Sequence, residues 1–370
     1  MKNHKSTIML AGGGSGGPVA PLLAVAAQIK KESPDIRMVF VGTKNGPEKE
    51  MVQGTGVEFV PMSAAKLRRY LSFRNVIDIF VFFLSFRQAY RIINKYQPDL
   101  IFSVGGFVAV PICWVGRSKR IKVIIHQQDV RIGLANKLIA PFATRITTAF
   151  EMSAKAFYSG SGMFKKSKVR PIDWIGNPVR PEFLEPKPRD PGFFSLHSEF
   201  PVLVITGGGT GALQINQVVG LALPELVKSH QVIHVTGRGK NIVGFKHENY
   251  HAYEFLVGYQ MADALKMAHV VIARAGLSTL VELSTLGKIA IIVPMPGTHQ
   301  EDNALILKVT ASAVVLMKEE FTPDNLVRVV NSLKFNVKRQ ELLSQNIQQL
   351  FPKKATEKLA KIILQELNEK

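Results

Sequence analysis

The residues with the most chemical options lie late in the chain. Arg274-Ala275-Gly276-Leu277-Ser278-Thr279-Leu280-Val281-Glu282 follows a β-branched run, His269–Ala273. Gly276 permits a tight exit from a strand, and Ser278 and Thr279 then open a helix whose first N–H groups could receive a diphosphate. Glu282, one turn on, is suited to accept hydrogen bonds from both hydroxyls of a ribose. The same residues also spell a capping box, Ser or Thr followed three positions later by Glu, and the two readings stand level. Further along, Pro294-Met295-Pro296-Gly297-Thr298-His299-Gln300-Glu301-Asp302-Asn303-Ala304 is a polar loop at a strand end entering another helix. His299, Gln300 and Asn303 are of the types that read sugar hydroxyls. Two glycine loops, in Ile8–Gly17 and Val204–Ala212, repeat the order strand, loop, helix at an offset of 195 residues. Such loops bring backbone N–H groups close to phosphate, although plain tight turns use the same residues. Neither loop continues into Gly-Lys-Ser/Thr, so neither is a P-loop. Neither has an acidic residue at a following strand end to hold a dinucleotide's ribose; Glu32 and Asp35 fall in a turn.

The elements that must position these residues alternate short β-branched runs with longer helical patterns, which predicts parallel sheets covered by helices. Strands are expected at Thr7–Leu10, Arg37–Val41, Asp99–Val104, Lys122–Ile125 and Arg145–Thr148 in the first half. In the second they are expected at Val202–Thr206, Val232–Thr236, His269–Ala273, Ile289–Pro294 and Ala313–Met317. The repeated opening predicts two doubly wound domains with ligands at the carboxyl ends of the strands. Expected boundaries are 1–180, a linker at 181–200 within a Pro/Glu/Lys-rich stretch, and a second domain at 201–350. A last helix, in 351–370, is open to packing on either domain, including a return to the first.

Composition narrows the partners. The 370 residues are 46% hydrophobic, with mean hydropathy +0.10, which excludes a disordered chain and suits two domains with ample core. The one cysteine, Cys113, excludes a disulfide framework and any Cys-built zinc site. The short apolar run before Ala11 reads as a strand rather than a signal peptide, and no stretch is long and apolar enough to span a membrane. A cytoplasmic protein is expected. The net charge of +19 is uneven: residues 1–180 hold 27 Lys+Arg against 10 Asp+Glu, and residues 181–370 hold 20 against 18. That asymmetry points to an anionic partner for the first half, although on charge alone a merely solvated basic surface is the favoured reading.

One segment sharpens the choice. Lys66, Arg68, Arg69, Arg74, Arg87, Arg91 and Lys95 flank Val76–Phe86, with Asp78 as the only acid among them. As a helix, residues 79–84 carry apolar groups all round, more than one core-facing stripe needs. An apolar patch of Phe80, Phe82, Phe83 and Phe86 rimmed by Arg87 suits the boundary of an anionic bilayer, and a helix buried on both faces is the level alternative. The interleaved aromatics of a nucleic-acid surface are missing, so no nucleic-acid partner is expected.

Taken together and in order, the motifs resemble the bacterial MurG glycosyltransferases of family 28 essentially end to end. Gly13-Gly14-Ser15-Gly16-Gly17-Pro18 resembles the family's first glycine loop, and Gly105-Gly106-Phe107-Val108 its second. His126-Gln127-Gln128-Asp129 and Gly133-Leu134-Ala135-Asn136-Lys137 resemble its His-Glu-Gln-Asn and Gly-x-x-Asn-Lys run, and Gly176-Asn177-Pro178-Val179-Arg180 its domain-junction signature. Gly207–Asn216, Arg274–Glu282 and His299–Ala304 complete the match. The resemblance implies an α/β protein of the GT-B fold, two Rossmann-like doubly wound parallel-sheet domains facing a cleft. It implies inverting, metal-independent transfer of N-acetylglucosamine from UDP-GlcNAc to the undecaprenyl-pyrophosphoryl muramyl-pentapeptide lipid I, giving lipid II, with no cofactor. By position, Leu256 would meet uracil, Glu282 the ribose, and Leu277, Ser278 and Thr279 the diphosphate. His299 and Gln300 would read GlcNAc, and Arg180 would approach the donor from the junction. Ser15, Gly16, Gly17 and Gly209 would face phosphates, and Gly105, Gly106 and Asn136 the acceptor. The Phe-rich segment falls at the family's membrane patch, which implies a peripheral protein on the anionic cytoplasmic face of the inner membrane.

Three positions depart from the family pattern: Pro18 stands where His is common, Gln127-Gln128-Asp129 replaces Glu-Gln-Asn, and Gly209 replaces a Ser. Inversion needs a base for the acceptor hydroxyl proton. Asp129 is the expected base, a carboxylate in place of an amide at a strand end that also borders the donor, and His126 is the alternative. Because the departures touch acceptor chemistry, a GT-B transferase with another polyprenyl or glycolipid acceptor remains open. So does a UDP-sugar-binding homologue without catalysis. A UDP-GlcNAc 2-epimerase would bind the same donor but would have no use for a Phe/Arg patch.

Overall fold

The computed structural model describes residues 5–13, 16–44, 46, 48–63, 74–158, 171–197, 199–209 and 211–369; the side chains of 74–83 lie outside that description. Contacts divide the chain into two units, residues 1–180 with 352–370, and residues 181–351.

In the first unit the chain runs β1 (Thr7–Ala11), α1 (Gly16–Glu32), β2 (Arg37–Thr43), α2 (Glu48–Val52), β3 (Glu58–Met62), α3 (Arg74–Tyr96) and β4 (Leu100–Ser103). It continues through α4 (Ala109–Ser118), β5 (Lys122–Gln127), α5 (Leu134–Ile139), β6 (Arg145–Thr148), α6 (Glu151–Tyr158) and β7 (Ile172–Trp174). The seven strands lie in the order β3-β2-β1-β4-β5-β6-β7, every pair parallel. β1, β4 and β5 are buried along nearly their whole length, which is why they read as unbroken apolar runs. Alternate strand residues feed two cores. Met9, Val39, Ile101 and Ile125 pack under α3, α4 and α5; Ile8, Phe40, Phe102 and Ile124 pack under α1 and the chain's last helix.

The second unit runs β8 (Val202–Thr206), α7 (Leu213–Leu226), β9 (Gln231–Val235), β10 (Tyr250–Tyr253), α8 (Gly258–Met267), β11 (Val270–Ala273) and α9 (Leu277–Leu286). β12 (Ile289–Ile292), α10 (His299–Val309), β13 (Val314–Val315), α11 (Pro323–Phe335) and α12 (Val337–Gln348) follow. Its strand order, β10-β9-β8-β11-β12-β13, again parallel, repeats that of the first unit. The Pro-rich stretch after Arg180 is anchored rather than loose. Phe183 and Phe194 are buried, and the N–H groups of Arg189 and Asp190 donate to the buried Asp263 carboxylate at 3.0 and 2.9 Å. The final helix, α13 (Ala355–Asn368), belongs to the first unit. Leu359, Ala360 and Ile363 join its core, and Lys122 and Arg145 reach the buried carboxylate of Glu366 at 3.6 and 3.5 Å.

In each sheet, the strand order reverses beside the first strand, between β1 and β4 and between β8 and β11. Connections leave in opposite directions there, opening a crevice at the strands' carboxyl ends. Both glycine loops and the Arg274–Gly276 loop lie at these two points. Three strands have no counterpart in the sequence reading: β3, β7 and β10. All are sheet edges with half-exposed residues, and β3 carries Pro61, which interior strands exclude.

Candidate active site

In the second unit, β11 ends at Ala273, and Gly276 (φ −73°, ψ 133°) is the N-cap of α9 with no side-chain capping bond. The helix therefore begins at Leu277, and Glu282 lies in its second turn. The capping-box reading is corrected: the cap supplies no acceptor, and the positive end of α9 carries Leu277, Ser278 and Thr279 at the crevice. Glu282 is buried at 7% exposure.

The loop after β12 is closed on itself. Thr298 caps α10 by accepting from the Gln300 N–H at 3.2 Å and donates its hydroxyl to Met295 O at 2.8 Å. The Met295 N–H donates to Gln300 Oε1 at 3.0 Å. That bond engages the amide oxygen of Gln300 and leaves its NH2 group as a donor. His299 is exposed beside it. Asn303 does not share this face; it is 1% exposed and donates to Ala275 O at 3.0 Å, tying α10 to the β11 exit. Arg274 is buried too, with Nη1 donating to Val293 O and Pro294 O at 3.1 and 3.0 Å and Nη2 to Gln214 Oε1 at 3.0 Å.

The second glycine loop is shaped by its neighbours. The Thr206 hydroxyl accepts from the Gly208 N–H at 3.2 Å. Gly209 is exposed, with nothing within 4 Å of where a side chain would start, so its missing Ser leaves open space. Leu256 sits buried at the turn from β10 into α8, next to Glu254, whose Oε1 accepts from Gly239 N and Asn241 Nδ2 at 3.1 Å each.

In the first unit, Ser15 lies outside the described residues; Gly16 and Gly17 open α1. Pro18 fits the helix's first turn, where its missing N–H is not needed. Pro21 lacks the N–H that would ordinarily bond Gly17 O, and Gln128 Nε2 donates to that oxygen instead, at 3.4 Å. Gly105 and Gly106 have φ of +94° and +93°, and a Cβ on Gly106 would stand 2.8 Å from Gly13 O, so the Gly105–Gly106 turn abuts Gly13.

The segment after β5 is organised by amides. Gln127 Nε2 donates to the carbonyls of Asp129 and Arg131 at 2.8 and 3.1 Å, and its Oε1 accepts from Gly133 N and Asn136 Nδ2 at 3.3 and 2.8 Å. Asn136 Nδ2 also donates to His126 O at 3.1 Å, while its Oδ1, buried beside Gly105, has no partner among the described residues. The Ser153 hydroxyl adds a bond to Asp129 O at 3.1 Å. These bonds hold the backbone of Asp129 and leave its half-buried carboxylate at the carboxyl end of the sheet.

His126 is a different matter from its neighbour. It is fully buried; Nε2 donates to Asn177 Oδ1 at 3.1 Å and Nδ1 meets the Thr147 hydroxyl at 2.9 Å. Burial pushes its pKa down to about 4. An imidazole with both nitrogens occupied and no surface cannot collect a proton from a substrate, so His126 is corrected from candidate base to prop. It holds Asn177, which also accepts from Gln128 at 3.3 Å and so fixes the run to Arg180. Val179 closes that run by exchanging bonds with Thr356 on α13, at 3.1 and 3.2 Å. Gln127 and Asn177 are the residues that sequence reasoning passed over as site elements; their only signal was membership of the motifs.

The membrane-patch residues Phe80, Phe82 and Phe83 have side chains outside the description. Phe86 is half-buried, edge-on to Trp114 with centroids 5.9 Å apart, and Trp114 in turn meets Phe142 at 5.3 Å. Around them Leu84, Phe142 and Arg87 are exposed, and Lys119 lies over the Tyr90 ring. No helix among the described residues is long and apolar enough to cross a membrane.

Solved structures share this architecture along its whole length. MurG from Acinetobacter baumannii superposes with TM-score 0.69 at 22% identity, covering 97% of this chain and 99% of that one. UDP-GlcNAc 2-epimerase from Neisseria meningitidis, bound to UDP-GlcNAc, does so at 0.70 and 12% identity, covering 97% and 100%. The architecture is the GT-B fold. Sequence takes the assignment further. The N-terminal domain profile of glycosyltransferase family 28 matches residues 8–148, and its C-terminal domain profile matches residues 202–362. A UDP-N-acetylglucosamine--N-acetylmuramyl-(pentapeptide) pyrophosphoryl-undecaprenol N-acetylglucosamine transferase of Bacillus cereus is 34% identical, covering 89% of this chain and 92% of its own. The enzyme of that name from Treponema denticola is 33% identical, covering 96% and 95%. The chain belongs to glycosyltransferase family 28 and is a UDP-sugar glycosyltransferase.

Proposed function

We propose that the protein transfers N-acetylglucosamine from UDP-GlcNAc to the C4 hydroxyl of lipid I, forming lipid II for peptidoglycan synthesis. The observation that carries this reading is the pairing of relatives so named, along nine-tenths of the chain, with an uncapped α9 N-terminus and the buried Glu282 one and a half turns behind it. The second unit takes the donor. Leu256 flanks uracil through its backbone, Glu282 accepts from the ribose hydroxyls, and the α9 N-terminus with Gly209 holds the diphosphate. Gln300 donates its NH2 to a GlcNAc hydroxyl, with His299 beside it. The first unit takes the acceptor at Gly105, Gly106 and Asn136. Ser15, Gly16, Gly17 and Arg180 serve the phosphates.

The chemistry is a single displacement with inversion. The C4 oxygen bonds to C1 of GlcNAc as the C1–O bond to UDP breaks. The hydroxyl proton passes to the Asp129 carboxylate, and UDP departs with the electron pair, its charge stabilised by the positive end of α9. Positioned bases contribute about 10²–10⁴-fold to such steps. No step needs a metal. The exposed Leu84, Phe142 and Arg87 around Phe86 support peripheral attachment to the anionic cytoplasmic face of the membrane that carries lipid I.

Radiolabelled UDP-GlcNAc, a lipid I analogue and EDTA test this directly. Label in the lipid product is expected. UDP-GlcNAc binding without transfer would point to another acceptor or to lost catalysis, and restoration by added metal would overturn metal independence.

A further inference from the structure

Arg274 is 6% exposed, and its hydrogen bonds all go to neutral acceptors: the carbonyls of Val293 and Pro294, and the side-chain oxygen of Gln214. Its Nε is buried with no partner, and no carboxylate among the described residues pairs with it. Burial lowers its pKa, yet an arginine so shifted remains a cation at neutral pH. A buried cation without a counter-ion is costly, and neutral donors could have made the same bonds to carbonyls.

The position of the charge supplies the reason for it. Val293 and Pro294 lead directly into the Met295–Thr298 turn and Gln300. Gln214 is the second residue of α7, directly after the Gly207–Gly211 loop, and Arg274 itself stands three residues before the first residue of α9. One side chain therefore ties together the three loops at the carboxyl ends of β8, β11 and β12, where their order makes the crevice. The uncapped N-terminus of α9 adds positive potential at the same place.

We infer that Arg274 is a positioning residue for the donor's diphosphate, holding these three loops while its uncompensated charge, acting through the low-dielectric interior, favours an anionic ligand at the loops. The inference rests on the second unit's being the donor unit. The charge need not touch the phosphates, because a buried cation is little screened by salt or water.

The test compares UDP with uridine by calorimetry on the full chain and two variants. R274Q keeps donors for the carbonyls but removes the charge; R274K keeps the charge but cannot span all three acceptors. In R274Q, UDP affinity is expected to fall about tenfold, with uridine within about twofold. In R274K, the UDP-to-uridine preference is expected to stay within about threefold of wild type. Equal losses of both ligands in R274Q, or the same loss of preference in R274K, would overturn the inference and leave Arg274 a structural tie. Inorganic pyrophosphate, which needs no variant, is expected to compete with UDP for the wild-type chain, and failure to compete would overturn it as well. A wild-type chain that bound uridine but gained nothing from the diphosphate would contradict the inference while sparing the nucleoside site. One that bound neither would remove the donor reading itself.

Discussion

The two units share a strand order and an opening glycine loop, yet they stabilise their loops by opposite means. In the first, a network of neutral groups does the work: Gln127, Asn136, Asn177 and His126 bond one another and the backbone, and the carboxylate of Asp129 stands at their edge. In the second, the loops are drawn together by a cation, Arg274, and face the positive end of α9. The overall charges run the other way, since the first half carries nearly all of the excess of Lys and Arg. Surface charge and site charge are thus separate devices. The first half's excess is the feature that the proposed attachment to an anionic bilayer would use. The second half holds Arg274 in the interior without a carboxylate partner among the described residues, where a charge is screened less than on a surface.

Predictions that break or sharpen this contrast begin with Glu282. Replacing it by Ala removes a charged acceptor from the proposed ribose contact, and donor affinity is expected to fall about 10–100-fold by calorimetry. Acceptor KM should stay unchanged; a parallel rise there would blur the division between the units. Next is Gly106→Ala, which forces a side chain into φ +93° and toward Gly13 O. A loss of about 1–3 kcal/mol is expected in denaturant titration, because the neighbour is backbone and cannot rotate away.

Acid stability probes the neutral network. The folded pKa of His126, about 4, lies below its ordinary 6.5, so between those values the unfolded chain binds the proton more readily. The stabilisation is fully present above about pH 6.5 and is lost as pH falls toward 4, up to about 3 kcal/mol for this residue. His234, also near 4 through burial in β9, acts in the same direction in the second unit. His126→Gln is expected to flatten part of the acid limb in thermal melts across pH 4–7; an unchanged limb would mean that His126 is not buried neutral. The smallest effect belongs to Gly209→Ser. Space is open there, so melting temperature should stay within about 1 °C and kcat/KM for UDP-GlcNAc within about twofold. A large gain in kcat/KM would mean that the loop lacks a phosphate contact the hydroxyl restores.

The interior of the fold was legible in the sequence, and its margins were not. β1, β4, β8 and β11 are buried on both faces, so their composition announces them. The edge strands β3, β7 and β10 mix polar and apolar residues and are held by a neighbour on one side only, which no local pattern records. The site was legible as motifs but not as bonds. Ser278, Thr279 and Glu282 fit a capping box by spacing, and only the backbone at Gly276 shows that the helix starts later. His126 carries the residue type of a base, and its burial beneath the β5 exit depends on Thr147 and Asn177, 21 and 51 residues away. Asn303 lies three positions from Gln300 on the same helix, yet one faces Ala275 and the other turns back on Met295.

The central claim is that Asp129, fixed by Gln127 and Ser153, takes the acceptor proton while the second unit holds the donor. It is tested most directly in Asp129→Asn, by measuring UDP-GlcNAc affinity and transfer to a lipid I analogue on the same preparation. Donor affinity within about twofold of wild type, with transfer reduced about 10²–10⁴-fold, is the predicted result. Transfer at the wild-type rate would contradict it.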